Sequence, residues 1–148
     1  MAQQTAPITV RDASAAPPTA RQFVRFSFFH VQPEWRRRSA AERAEDRDEV
    51  AAVLRQTATR PGVIMRTYSL VGTRGDADFM VWLVSEDLDE LHRCSAGLNR
   101  TRMAGWLEQP YNYFSMTKRS TYVERHAHAN QEGRSNRLVI APGARRYL

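Results

Sequence analysis

Hydrophobic and polar positions between residues 21 and 124 follow two rhythms, one of period two and one near 3.6. Arg21 to His30 alternates and ends in aromatics, with Phe23, Phe26, Phe28 and Phe29 marking a strand. Ser39-Ala-Ala-Glu42 has the capping-box form, in which a serine oxygen and a glutamate satisfy free amides at a helix start. Ala40, Ala44, Val50, Ala51, Val53, Leu54 and Ala58 then recur at helical spacing. Glu42, Arg43, Glu45, Asp46, Asp48 and Glu49 lie opposite, as a solvated face. The pattern predicts a helix to about Thr59, stopped by Pro61-Gly62.

Val63 to Val71 reads as a strand, Gly72-Thr-Arg-Gly75 as a turn, and Asp78 to Val84 as the hairpin partner. Ser85-Glu-Asp-Leu opens a second helix, its acids suited to the positive end of the dipole. Leu88, Leu91, Ser95, Leu98, Arg102 and Trp106 fall on one of its faces, and Gln109-Pro110 is expected to end it. Tyr111 to Val123 alternates again as a strand. The order β-α-β-β-α-β predicts an α+β, ferredoxin-like domain: an antiparallel sheet with two helices on one face. Residues 1–20, rich in Ala, Pro, Thr and Gln, are expected to be disordered. The domain is expected over 21–124 and a basic linker over 125–148.

Charge sharpens this division. Residues 21–124 carry 16 basic and 14 acidic side chains, whereas 125–148 carry five arginines against Glu132 alone. The excess behind the net +6 therefore sits in the tail, which suits an anionic partner better than it suits a nucleic-acid surface on the domain. The longest apolar run, Phe79 to Val84, has six residues, far short of the ~18 of a membrane span. The N-terminus has no basic start followed by an apolar core, so no secretory signal is expected. A single cysteine, Cys94, fits a cytoplasmic setting.

Candidate chemistry within the domain is sparse. His126-Ala-His128 lacks the further ligands a metal site needs and reads as a polar loop. His30 and His92 read as structural, and Cys94 as a packing residue. Tyr111, Tyr113 and Tyr122 form an aromatic sheet face of the kind that builds a core or an interface. Asp76 and Asp78 suit a hairpin turn, and Arg36-Arg37-Arg38 is balanced by the acids that follow it.

Five segments carry a family resemblance: Phe26-Ser-Phe-Phe-His-Val-Gln-Pro-Glu-Trp35, Tyr68-Ser-Leu-Val-Gly72, Asp76-Ala-Asp-Phe-Met-Val-Trp82, Tyr113-Phe-Ser-Met-Thr-Lys-Arg-Ser120 and Gln131-Glu-Gly-Arg-Ser-Asn-Arg-Leu138. In order and spacing they resemble the N-terminal half of the chlorite dismutase family. Within it the match is nearest the actinobacterial coproheme decarboxylases of haem synthesis. The resemblance implies the dimeric α+β barrel superfamily, with two ferredoxin-like domains in tandem and a homo-oligomer, a pentamer in relatives. It also implies haem or Fe-coproporphyrin III as cofactor, held by the second domain. The iron ligand and the reactive tyrosine are then expected beyond Leu148, leaving no catalytic residue in this chain. One family contact falls inside it: an arginine meeting a porphyrin propionate maps to Arg137, with Arg134 and Arg145 as weaker candidates. A guanidinium and a carboxylate form a bidentate, charge-assisted pair, which is the chemistry such a contact needs. Three functions stay open: part of a peroxide-dependent coproheme decarboxylase, part of a chlorite dismutase or peroxidase, and a non-catalytic ferredoxin-like binding module.

Overall fold

In a computed structural model, residues 21–117 and Ile140 are described. The predicted tail over 1–20, the end of the last strand and the basic linker lie outside them. The elements run β1 (Phe23–Val31), a 3-10 turn (Pro33–Arg37), α1 (Ala40–Ala58), β2 (Val63–Ser69), β3 (Phe79–Ser85), α2 (Leu88–Asn99), a second 3-10 turn (Arg102–Trp106) and β4 (Leu107–Met116). The four strands form one antiparallel sheet in the order β2-β3-β1-β4. That is the ferredoxin-like arrangement expected from the periodicities.

Both helices pack on one side of the sheet. Phe29, Val81, Leu83, Leu91, Cys94 and Leu98 form the buried cluster, joined by Phe23, Val50, Val53, Val63, Met65 and Phe79. Because successive strand side chains point to opposite faces, Val24, Phe26, Phe28, Met80, Trp82 and Val84 then belong to the other side. The helices are in close contact at Gly97, where a β-carbon would lie 2.9 Å from Val53 Cγ1. The capping box at Ser39 and Glu42 forms as predicted, with each side chain accepting from the other residue's backbone N–H.

Two expectations need correction. Asp46, read as part of a solvated acidic face, is fully buried. Its Oδ2 accepts a hydrogen bond from Trp35 Nε1 at 2.9 Å and lies 3.3 Å from Arg38 Nε, while Arg102 Nε lies 3.9 Å from Oδ1. This polar anchor ties α1 to both 3-10 turns. The second correction concerns Pro110. The second helix ends at Asn99, and the helical spacing of Arg102 and Trp106 is met by a 3-10 turn. Gln109 and Pro110 instead lie inside β4. The β1–β4 register shifts there: Phe28 faces Tyr111 and His30 faces Glu108, so two β4 residues oppose Phe29. Proline is tolerated at such a bulge because the ladder is already interrupted.

Candidate functional site

The side of the sheet away from the helices presents three lateral rows of side chains. Ser115, Val24, Val84 and Ile64 form the first; Tyr113, Phe26, Trp82 and Arg66 the second; Tyr111, Phe28, Met80 and Tyr68 the third. Phe28 meets Tyr111 and Tyr113 edge-on, at centroid distances of 6.2 and 5.9 Å, and the two tyrosine rings stack at 6.3 Å. Phe26 lies against Trp82 at 6.3 Å. Tyr113 is 57% exposed, whereas Trp82 Nε1 is buried and has no hydrogen-bond partner. The β4 edge of the face thus combines apolar ring area with phenol hydroxyls, the composition of an interface.

The β2–β3 loop folds over one end of this face. Arg74 donates through Nε and Nη2 to the two carboxylate oxygens of Asp76, each at 2.7 Å. The same guanidinium lies 5.4 Å from the Phe28 ring centroid and 5.0 Å from that of Tyr111, within cation–π range. The Arg74 hydrogen bonds, then one with Tyr111, hold the Asp76 carboxyl well below the usual carboxylate range. The Tyr111 phenol is pushed up by the same carboxylate. Asp78 has a different task. It accepts from the Val31 backbone N–H at 2.7 Å, sits 3.0 Å from His30 Nδ1 and lies 3.5 Å from Arg36. These contacts clip the end of β1 to the start of β3.

The sequence candidates divide accordingly. Tyr111 and Tyr113 come together on the exposed face, and Asp76 and Asp78 stabilise the hairpin. His30 is engaged by Asp78, and His92 is exposed on α2. Cys94 is buried in the core, where desolvation pushes its thiol up and away from reactivity. Arg134, Arg137, Arg145, His126, His128 and Tyr122 lie outside the described residues. Sequence reading passed over Trp82 and Arg74; an indole amid alternating aromatics, and an arginine two residues before an aspartate, were the available signals.

Among the described residues no three His, Cys, Asp or Glu side chains converge to hold a metal ion. A cavity between the sheet and α2, bordered by Arg25 and Ser95, measures about 30 Å³, far too small for a macrocycle. Nor is any helix among them long and apolar enough to cross a membrane.

Comparison with known proteins agrees with this geometry. The chain is 27% identical over 129 residues to coproheme decarboxylase from Mycolicibacterium smegmatis, an overlap of 85% of this chain and 54% of that protein. It therefore spans about half the length of the curated relative it matches. Two solved chlorite dismutase structures from Candidatus Nitrospira defluvii share the fold. One, a variant enzyme, has a TM-score of 0.65 at 19% identity, over 74% of this chain and 45% of that one. The other, in complex with imidazole, has a TM-score of 0.62 at 20% identity, over 72% and 44%. The sequence profile of the family described as chlorite dismutase matches residues 43–147. With most of its length matched by that profile, this chain belongs to the chlorite dismutase family.

Proposed function

We propose that the chain is the N-terminal portion of a cytoplasmic, haem-dependent coproheme decarboxylase, which converts Fe-coproporphyrin III to haem b with hydrogen peroxide. The observation that carries this reading is the overlap with the decarboxylase, 85% of this chain but only 54% of that protein. It is joined by a ferredoxin-like sheet of the kind the solved chlorite dismutases share. In this reading a second ferredoxin-like domain holds the tetrapyrrole, and the present one scaffolds a homo-oligomer. The domain spans 21–124, and the basic stretch 125–148 leads toward the second domain. Arg137 meets a propionate, with Arg134 and Arg145 contributing to the positive potential around it. The exposed rings of Tyr111 and Tyr113 on β4 support the scaffold role, since they offer apolar area to a partner.

Chlorite breakdown is the second reading, favoured by the solved structures that share the fold. Titrating the chain with Fe-coproporphyrin III and following the Soret band tests the division of labour. The chain alone should give little or no shift; a tight, axially ligated complex would mean that the iron ligand lies within it. In the enzyme completed by its second domain, Arg137→Ala should weaken coproheme binding by about 1.5–3 kcal/mol, the loss of one charge-assisted bond. Unchanged affinity in that titration removes the propionate contact. Turnover of chlorite but not of coproheme by the completed enzyme selects the second reading.

A further inference from the structure

The helix-covered side of the sheet holds a charge that nothing described there balances. Arg25 stands in the middle of β1 with only 8% of its surface exposed. Its Nη1 donates to Ser95 Oγ, which in turn donates to the Leu91 carbonyl oxygen at 3.2 Å. Its Nε is buried without a hydrogen-bond partner. Among the described residues no carboxylate forms an ion pair with it. A guanidinium carries five donors and no acceptor, and burying it unpaired is strongly unfavourable. Burial accordingly pulls Arg25 below its ordinary value.

The cavity of about 30 Å³ lies against this side chain. Phe29, Val81 and Leu98 give it dry walls, while Ser27, Ser95, Asn99 and Gln109 line it with polar groups. The Ser27 hydroxyl is already committed to Asn112 Oδ1 at 3.1 Å, leaving the amides of Asn99 and Gln109 as the additional donors. No acidic side chain borders the cavity. Its size suits one or two waters or a single small ion. Water satisfies a donor but leaves the buried charge uncompensated, whereas an anion does both.

We propose that this cavity is a binding site for a small monovalent anion of halide size, held by Arg25 with help from the amides of Asn99 and Gln109. The anion then joins β1, the end of α2 and the bulge of β4 through one shared charge. The proposal is independent of any tetrapyrrole chemistry.

Thermal unfolding of the 148-residue chain in sodium chloride and in sodium gluconate of equal ionic strength tests it. Gluconate is too large for the cavity. Chloride should raise Tm saturably, by about 6 °C at a tenfold excess over Kd, and Arg25→Met should abolish the difference between the salts. Equal Tm values for the wild-type chain in the two salts overturn the proposal, as does a chloride effect that persists in Arg25→Met. Should Arg25→Met fail to fold, crystals of the wild-type chain grown in bromide decide. An anomalous peak within hydrogen-bond distance of the Arg25 guanidinium is expected, and ordinary water density there refutes the site.

Discussion

The two sides of the sheet are made from alternate residues of the same strands, yet they differ in kind. Toward the helices, Leu83, Val81 and Leu91 are almost completely enclosed, while Phe114 and Met116 at the β4 edge of that side stay exposed. Away from the helices, Tyr111 and Tyr113 are exposed at the β4 edge, whereas Val24, Met80 and Val84 nearer the middle of the sheet are buried. A period of two lets one strand serve two purposes, because each face can be composed without disturbing the other.

Substitutions on the two sides should separate these purposes, and three tests are ranked by expected size. Asp46→Ala removes the fully buried acceptor of Trp35 and one of the two carboxylates near Arg38, while Arg102 keeps Glu45 and Glu49. Leaving a buried donor unpaired costs about 1–3 kcal/mol and the lost Arg38 contact adds to it, so urea unfolding should show the largest loss of the three. A loss below 1 kcal/mol would mean that α1 is held by its apolar contacts alone. Gly97→Ala comes next. The new methyl group meets the stiff Val53 side chain at 2.9 Å, and overpacking of about 1–3 kcal/mol exceeds the roughly 1 kcal/mol gained in helix propensity. Tyr113→Ser on the open face should change stability least, within about 0.5 kcal/mol. It should nevertheless lower self-association, seen as a larger dissociation constant in sedimentation equilibrium. If it destabilised the chain as much as Gly97→Ala, the two faces would not be separate in function.

The architecture was legible because its signals are local. The capping box at Ser39, the Pro61-Gly62 stop, the alternation in β1 and the short apolar run of β3 each depend on neighbours in sequence, and each led to the right element. Asp46 was misread for the opposite reason. Its surroundings come from Trp35, Arg38 and the distant Arg102, and a run of acids conceals the one that turns inward. Pro110 misled because Arg102 and Trp106 continue the helical spacing past Asn99 by chance of register. Of the site, the tyrosines and the hairpin acids were visible as residue types, with an interface among their possible roles. That Trp82 lacks an acceptor, and that Arg74 crosses to Phe28 and Tyr111, follows only from tertiary folding. The arginines of the tail rest on family resemblance and on charge chemistry alone.

The bulge at Gln109 and Pro110 bears on how copies of this domain can meet. β4 is the outer strand of the described sheet, and an uninterrupted rim of amides and carbonyls there would recruit further strands into an open-ended ribbon. Proline lacks the amide such a ribbon needs, and the kink spoils the pitch of the rest. Lateral polymerisation through this edge is thereby discouraged.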